Sequence, residues 1–346
     1  MSHTHESPVG GWLLKADWRS ISAHLAANGA HSAVDFKARA LMRIQMTQGR
    51  VDWDQAIADL SRACELQPDE ASHWTNLGQA LLDAQRPREA FDAVRRAALL
   101  APTGVGVVEK VVASAASAAC QPEALALLRE LRAGLAAPGA PVPLALEQAI
   151  EDLESRWWEP VKARGAQMRP VQQGDAAFLS RLFANREFMR QYSLFQESSP
   201  DSVRAFVQMA QLPPRVSGRL DWVIEARDGS PIGVAGLTRI DFINRRCEVM
   251  FGYPGEGDAA RKFALATAGL LFAFDRLRLH KLVSHVYATN PVAQKFTLGL
   301  GFHQEGLLRE HVRLGPDAGW IDLYVNGLLR EDLVEPRRTT ARPQGD

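Results

Sequence analysis

The sequence is poor in cysteine, since its 346 residues include only Cys64, Cys120 and Cys247. These cysteines are far apart in apolar patterns, and their spacing fits neither a metal site nor a disulfide framework. The histidines also lack metal-ligand spacing. We therefore expect buried free thiols, a reducing and cytoplasmic environment, and no bound metal ion.

The chain also lacks net charge and long apolar runs. Its 40 Lys and Arg residues balance its 40 Asp and Glu residues, so no overall field favours nucleic acid or an anionic membrane surface. No run approaches the roughly 18 apolar residues that a membrane-spanning helix needs, and residues 1–11 have no signal-peptide pattern. At roughly 100–200 residues per domain, the length predicts two domains.

The N-terminal half contains an internal repeat. Its small residues and prolines recur 34 positions on, as Ala56, Ala63, Pro68 and then Ala90, Ala97, Pro102. Small residues let paired helices approach closely, and each proline ends a helix. Residues 73–102 resemble a tetratricopeptide repeat (TPR), with a more degenerate unit on either side. We predict a partly disordered N-terminal segment at 1–34 and TPR-like helical repeats with a capping helix at 35–160.

The capping helix is expected over residues 146–158, which read LEQAIEDLESRWW. Its apolar side chains share one helical face: Leu146, Ala149, Ile150, Leu153 and Trp157. Two roles are open for the array. It is either a concave surface that binds a protein partner, or a packing module that docks on the rest of the chain or associates with a second copy.

Residues 166–334 alternate strand and helix patterns. Strand patterns at 221–227, 231–241 and 245–253 predict a meander with a tight Asp-Gly turn. A glycine-containing loop then leads into an apolar helix, and the strand Lys281–Tyr287 follows. That strand stops at Asn290, and Pro291 suits the first turn of a new helix. A strand, a crossover helix and another strand predict an α+β domain.

This order of motifs resembles the GNAT superfamily of acyl-CoA-dependent N-acyltransferases over Met168 to Leu333. The similarity is carried by Pro231-Ile232-Gly233, Cys247-Glu248-Val249, the glycine loop, Asn290, Gly301-Phe302 and Glu305-Gly306. The branch with ribosomal-protein, spermidine and amino-sugar N-acetyltransferases is the most similar. The resemblance implies a GNAT domain at 166–334, followed by a disordered tail at 335–346. Its sheet would be mixed, largely antiparallel, and splayed between the fourth and fifth strands.

The resemblance also implies acetyl-CoA as cofactor and transfer of its acetyl group to a primary amine by direct attack in a ternary complex. The amine would belong to a small molecule, an amino sugar or a protein N-terminus. The splay would admit the pantetheine arm, and backbone N–H groups at the start of the crossover helix would hold the diphosphate. Asp258 departs from the family loop and is expected to cap that helix. The implied cofactor-binding residues are Met250, Phe251, Gly252, Gly257, Asp258, Ala259, Ala260, Arg261, Lys262, Asn290 and Phe296.

The catalytic residues implied are Glu248 and Thr297. An ammonium has no lone pair, so a base is needed. The resemblance suggests Glu248 as that base, although a structural strand glutamate beside Arg245 and Arg246 is the alternative. Thr297 stands where many relatives have a proton-donating tyrosine. Either Thr297, Tyr287 or water therefore donates a proton to the departing thiolate, or the thiolate leaves unassisted. Acceptor-binding residues are expected to be Asp241, Asn244, Arg246 and Tyr287.

A second hypothesis follows from the altered glycine loop and the missing tyrosine. In this reading the protein is a catalytically weak or inactive scaffold that binds CoA, and its TPR-like repeats hold a partner.

Overall fold

A computed structural model of the protein describes residues 8–47, 51–104, 106–135, 142–193, 197–254, 258–313 and 319–335. The chain divides into two compact units, Met1–Leu153 and Glu154–Asp346. The sequence placed this division a few residues later, between 160 and 166. The predicted tail lies outside the described residues, apart from Glu335. No helix in the described ranges is long and apolar enough to span a membrane.

The first unit is built from helices. In order they are α1 Val9–Leu14, α2 Trp18–Asn28, α3 Ala33–Met46, α4 Trp53–Leu66, α5 Ala71–Asp83, α6 Pro87–Leu100, α7 Val107–Ala118, α8 Gln121–Leu135 and α9 Leu144–Ser155. Pro68 follows the end of α4, and Pro102 follows the end of α6. A proline disfavours the helical conformation in the residue before it. The two prolines therefore explain why both helices stop at equivalent positions.

The 34-residue spacing has a packing reason. Ala56, Ala90 and Ala124 are each 0% exposed, so the small residue of each unit lies inside the helical core. A methyl group added to Gly78 on α5 would overlap Cγ2 of Val94 on α6, so the absent side chain lets these two helices approach. The TPR-like assignment itself stays a prediction.

Residues 8–34 differ from the expected partly disordered segment, because they form α1, α2 and the start of α3. Val9 and Ile21 are buried in one cluster with Ala38 of α3. Asp17 caps α2 by accepting a hydrogen bond from the Ser20 backbone N–H at 3.2 Å. Helix α1 spans only six residues, and α2 is rich in alanine and polar residues, so neither shows a clear apolar periodicity.

The capping helix corresponds to α9, but it is shorter than expected. Leu146, Ile150 and Leu153 are buried on it as predicted. The helix ends at Ser155. Trp157 therefore lies beyond the helix rather than on its face, although it too is buried.

Within the described residues, the second unit contains an eight-stranded sheet in the order β1-β2-β3-β4-β5-β6-β8-β7. The strands are β1 Val161–Ala163, β2 Ala166–Pro170, β3 Leu220–Ala226, β4 Pro231–Asp241, β5 Arg246–Gly252, β6 Lys281–Tyr287, β7 His303–Arg313 and β8 Trp320–Leu329. Neighbours are antiparallel except β5 and β6, which are parallel. The short β1 was not predicted, so the observed numbers are one higher than the predicted ones. The strands predicted as the fourth and fifth correspond to β5 and β6. The predicted fold class is confirmed.

The helices of this unit are α10 Ala176–Ala184, α11 Arg186–Tyr192, α12 Pro200–Ala210, α13 Pro214–Ser217, α14 Ala259–Leu271 and α15 Pro291–Gly299. One continuous helix was expected across α10 and α11. Asn185 separates them, because its side chain accepts a hydrogen bond from the Phe188 backbone N–H at 3.1 Å and so starts a second helix. Helices α10 to α12 bury apolar side chains against Val223 of β3 and Val234 of β4.

Candidate active site

The central feature of the sheet is the short contact between β5 and β6. The two strands pair at Arg246–Lys281, Cys247–Leu282 and Glu248–Val283. Beyond these pairs β5 still follows β4 to Gly252, and β6 still follows β8 to Tyr287. The two strands therefore part while each keeps its outer neighbour. The expected splay is present, and it begins before Phe251 and Ala288, the positions at which the sequence placed it.

The gap between these strands opens into a cleft of about 130 Å³. Its walls include Met250 and Phe251 of β5 and Phe296 and Thr297 of α15. These four residues were predicted for the site, and the structure brings them together. Thr297 is buried, so water has little access to its side chain.

Helix α15 begins where β6 ends, and Asn290 sets its start. The Ala293 backbone N–H donates to Oδ1 of Asn290 at 3.0 Å, so this side chain caps the helix. Asn290 does not occur among the described residues that line the cleft. A buried pair of amides fixes the helix to the sheet. Gln294 Nε2 donates to Oδ1 of Asn326 at 2.8 Å, and Asn326 Nδ2 donates to Oε1 of Gln294 at 3.1 Å. Asn326 also donates to the Ser284 carbonyl of β6.

Gly252 lets aromatic rings of α11 close over the end of β5. A Cβ at this glycine would lie 2.7 Å from both Cζ of Phe188 and Cδ2 of Tyr192. These two rings stack with centroids 5.1 Å apart, and Tyr192 lines the cleft. Burial raises the pKa of Tyr192, so its phenol stays protonated. Tyr192 was not predicted as a site residue, because an aromatic residue on an amphipathic helix is ordinarily core.

The start of α14 fits the expected phosphate site in part. Asp258 caps the helix as predicted, by accepting from the Ala260 backbone N–H at 3.0 Å. Lys262 places its ammonium 5.1 Å from the centroid of the Tyr253 ring. The buried Tyr253 hydroxyl has no hydrogen-bond partner among the described residues. Gly257, also predicted here, lies outside the described residues. Ala259, Ala260 and Arg261 follow Asp258 in the first turn, where backbone N–H groups point out of the helix.

Glu248 lies at the end of the paired segment, between two other side chains. Arg239 Nη1 donates to its Oε1 at 2.8 Å, and His285 Nδ1 lies 3.3 Å from the same oxygen. The hydrogen bond with His285 and the nearby charge of Arg239 lower the pKa of Glu248. The arginine that binds Glu248 is thus Arg239 and not Arg245 or Arg246. Arg239 lies in a bulge of β4 and has a φ of +50°. A carboxylate held in its charged form is a weaker base.

The predicted acceptor residues lie apart from the cleft walls. At the turn between β4 and β5, Asp241 accepts from Nδ2 of Asn244 at 2.7 Å, and Arg246 lies 3.5 Å from Asp241. Such contacts are typical of a turn, so they give Asp241, Asn244 and Arg246 a structural role there. Tyr287 pairs with Leu323 at the end of β6. None of these four residues occurs among the described side chains that line the cleft.

Comparison with known proteins agrees with this geometry. Residues 167–303 match the family model described as an acetyltransferase (GNAT) domain. The chain is 25% identical over 150 residues to the uncharacterized N-acetyltransferase YoaA of Bacillus subtilis (strain 168), covering 42% of this chain and 83% of that protein. Residues 167–303 thus form a GNAT acetyltransferase domain, as the order of motifs predicted.

Solved structures of two acetyltransferases are also similar to the chain. One is spermidine N-acetyltransferase from Vibrio cholerae in complex with CoA and spermine, at 25% identity over 49% of this chain and 97% of that one, with a TM-score of 0.43. The other is RimJ from Mycobacterium smegmatis in complex with CoA-disulfide, at 21% identity over 51% of this chain and 88% of that one, with a TM-score of 0.45.

Proposed function

We propose that this protein transfers the acetyl group of acetyl-CoA to a primary amine, by direct attack of the amine on the thioester in a ternary complex. The observation that carries the proposal is the parting of β5 and β6 beyond Glu248 and Val283. It leaves main-chain groups without a strand partner, and an extended pantetheine chain can bind such groups as an added strand would. The GNAT domain match over residues 167–303 supports the same reaction.

Different residues of the cleft would bind the cofactor and assist the reaction. Between Met250 and Gly252, the main-chain groups of β5 that do not bond to β4 would align the pantetheine and polarise the thioester carbonyl. The N-terminus of α14, with the cations of Arg261 and Lys262, would hold the diphosphate. Acetyl-CoA supplies an activated acyl group. Thr297 of α15 also lines the cleft, and its hydroxyl is our candidate proton donor to the departing sulfur.

The acceptor is a primary amine on a small molecule, an amino sugar or a protein N-terminus. The full-length protein should release free thiol from acetyl-CoA when a suitable member of an amine panel is added, and CoA should raise its melting temperature. Ala293→Trp places a large ring in the cleft and should abolish both effects. Val292→Trp is the matched control, because Val292 is its neighbour on α15 but is 79% exposed. An absence of thiol release with every amine, together with no stabilisation by CoA, would contradict the proposal.

A second candidate function is a CoA-binding protein without turnover, whose helical unit holds a protein partner or a second copy. The observation that favours it is the threonine at position 297, since a threonine hydroxyl is a weaker acid than a phenol. In that case CoA would stabilise the wild-type protein while no amine released thiol.

A further inference from the structure

His285 has a basic side chain that faces the cleft and was not predicted as a site residue. His285 lies on β6 two residues beyond Val283, the last residue of β6 that pairs with β5. Its imidazole therefore stands where the gap opens. Among the described residues that line the cleft, His285 and Tyr192 are the two with titratable side chains. Tyr192 stays protonated, which leaves the imidazole of His285 as the titratable group on the cleft wall with a nitrogen lone pair that can accept a proton.

Glu248 of β5, across the gap from His285, orients this imidazole. His285 Nδ1 lies 3.3 Å from Oε1 of Glu248, and the two side chains are 29% and 22% exposed. A neutral imidazole that bonds to a carboxylate carries its proton on Nδ1, which leaves the lone pair on Nε2. Arg239 binds the same carboxylate oxygen at 2.8 Å and keeps Glu248 charged. Glu248 itself is not among the residues that line the cleft.

We infer that His285 is the catalytic base that removes the proton from the acceptor ammonium, and that Glu248 is a positioning residue that holds the imidazole rather than the base. This inference rests on the proposed acetyl transfer. The ammonium gives one proton to Nε2 of His285, and the freed nitrogen lone pair forms a C–N bond to the acetyl carbon. The C–S bond then breaks. The second proton lost by the nitrogen ends on the departing sulfur, and His285 releases the first to water.

The test compares two variants that separate the two roles. His285→Ala should lower kcat by about 100-fold or more, the usual contribution of a general base, with CoA stabilisation unchanged. Added imidazole should restore part of the activity, because it can occupy the vacated space and accept the proton. Glu248→Gln should lower kcat less and gain nothing from imidazole. His280→Ala, an exposed histidine just before β6, should match the wild type with and without imidazole.

A second measurement does not depend on turnover. The NMR signal of the His285 Cε1–H group, identified by its absence in His285→Gln, should shift in Glu248→Gln. It should stay in place in the exposed control Glu331→Gln. An unmoved signal would show that the two side chains do not interact and would overturn the positioning role of Glu248.

The possible failures are distinguishable. If the wild type turns over and His285→Ala keeps its activity within about threefold, well short of the effect of a general base, His285 is not the base. If Glu248→Gln loses more activity than His285→Ala and imidazole rescues neither variant, Glu248 is the base instead. If the wild type releases no thiol with any amine, the proposed function fails and this inference falls with it.

Discussion

Glu248 and Val283 form the last residue pair between β5 and β6. The next residue on each strand, Val249 and Ser284, lines the cleft. The paired part of β5 and β6 thus ends one residue before the cleft begins. The cleft is kept open from both sides, by Gly252 and α11 at the end of β5 and by α15 at the end of β6.

Gly252→Ala tests the first of these supports. The new methyl group would lie 2.7 Å from Phe188 and Tyr192, so α11 must move away from β5. We expect the free energy of unfolding to fall by about 1–3 kcal/mol, as for other overpacked sites, and CoA to bind more weakly. Denaturant unfolding and calorimetry measure the two effects. Gly306→Ala is the control, because nothing lies within 4 Å of its added Cβ. Equal behaviour of the two variants would refute the proposed role of Gly252.

Asn326→Ala tests the second support. It leaves the buried amide of Gln294 without its partner on β8, and an unmet buried polar group costs about 1–3 kcal/mol. Gln304→Ala removes an exposed partner of the same amide, 3.2 Å from Gln294 Nε2, and should cost less. Chemical denaturation of Asn326→Ala, of Gln294→Ala and of the double variant Gln294→Ala/Asn326→Ala measures the coupling of the two amides. Strictly additive losses would mean that the amide pair does not act as a unit.

Gly78→Ala examines the helical unit. Its methyl group would overlap Val94, so we expect a loss of about 1–3 kcal/mol and a lower melting temperature. Adding Val94→Ala should recover part of the loss, although Val94 is fully buried. Gly134→Ala on α8 has open space around its added Cβ and should stabilise the protein by up to about 1 kcal/mol, because alanine favours helix more than glycine does. A stabilising Gly78→Ala would remove the packing reason for that glycine.

The cysteines give a prediction about pH. Burial raises the pKa of Cys64 to about 12 and also raises the pKa of Cys120 and Cys247. In the native protein, labelling by a thiol reagent should be slow at pH 8. Its rate should keep rising at pH 9, where an exposed thiol with a pKa of about 8.5 levels off. Stability should fall as pH rises above about 8.5, since thiols ionise in the unfolded chain before they do in the folded one. Rapid labelling of all three thiols at pH 7 without denaturant would contradict this.

Much of the fold could be predicted because local signals agree with long-range structure. Lys281–Tyr287 was assigned as a strand with its observed bounds, since it contains two valines and a tyrosine and is soon followed by Asn-Pro. The cleft also followed from the order of motifs, since a strand, a crossover helix and another strand place β5 beside β6. The start of the molecule could not be predicted in the same way. Helices α1 and α2 depend on burial of Val9 and Ile21 against Ala38, which is a tertiary contact.

The site was predicted well where the backbone defines it and less well where side chains do. Met250, Phe251, Phe296 and Thr297 line the cleft because their strand and helix must border the gap. His285 was missed because its role depends on Glu248 across the gap and not on its neighbours in sequence. Arg239 was missed because a bulge, which shifts the register between Thr238 and Asp241, brings it to Glu248. Single-residue register shifts leave little trace in apolar periodicity.

The three residue pairs between β5 and β6 also give the sheet a mechanical property. Strands β1 to β5 form one continuous antiparallel half, and β6, β8 and β7 form another. A small rotation about the segment Arg246–Glu248 would widen the far end of the gap without breaking any antiparallel pair. These three pairs can therefore act as a main-chain hinge that changes the width of the gap while the antiparallel ladders on either side stay intact.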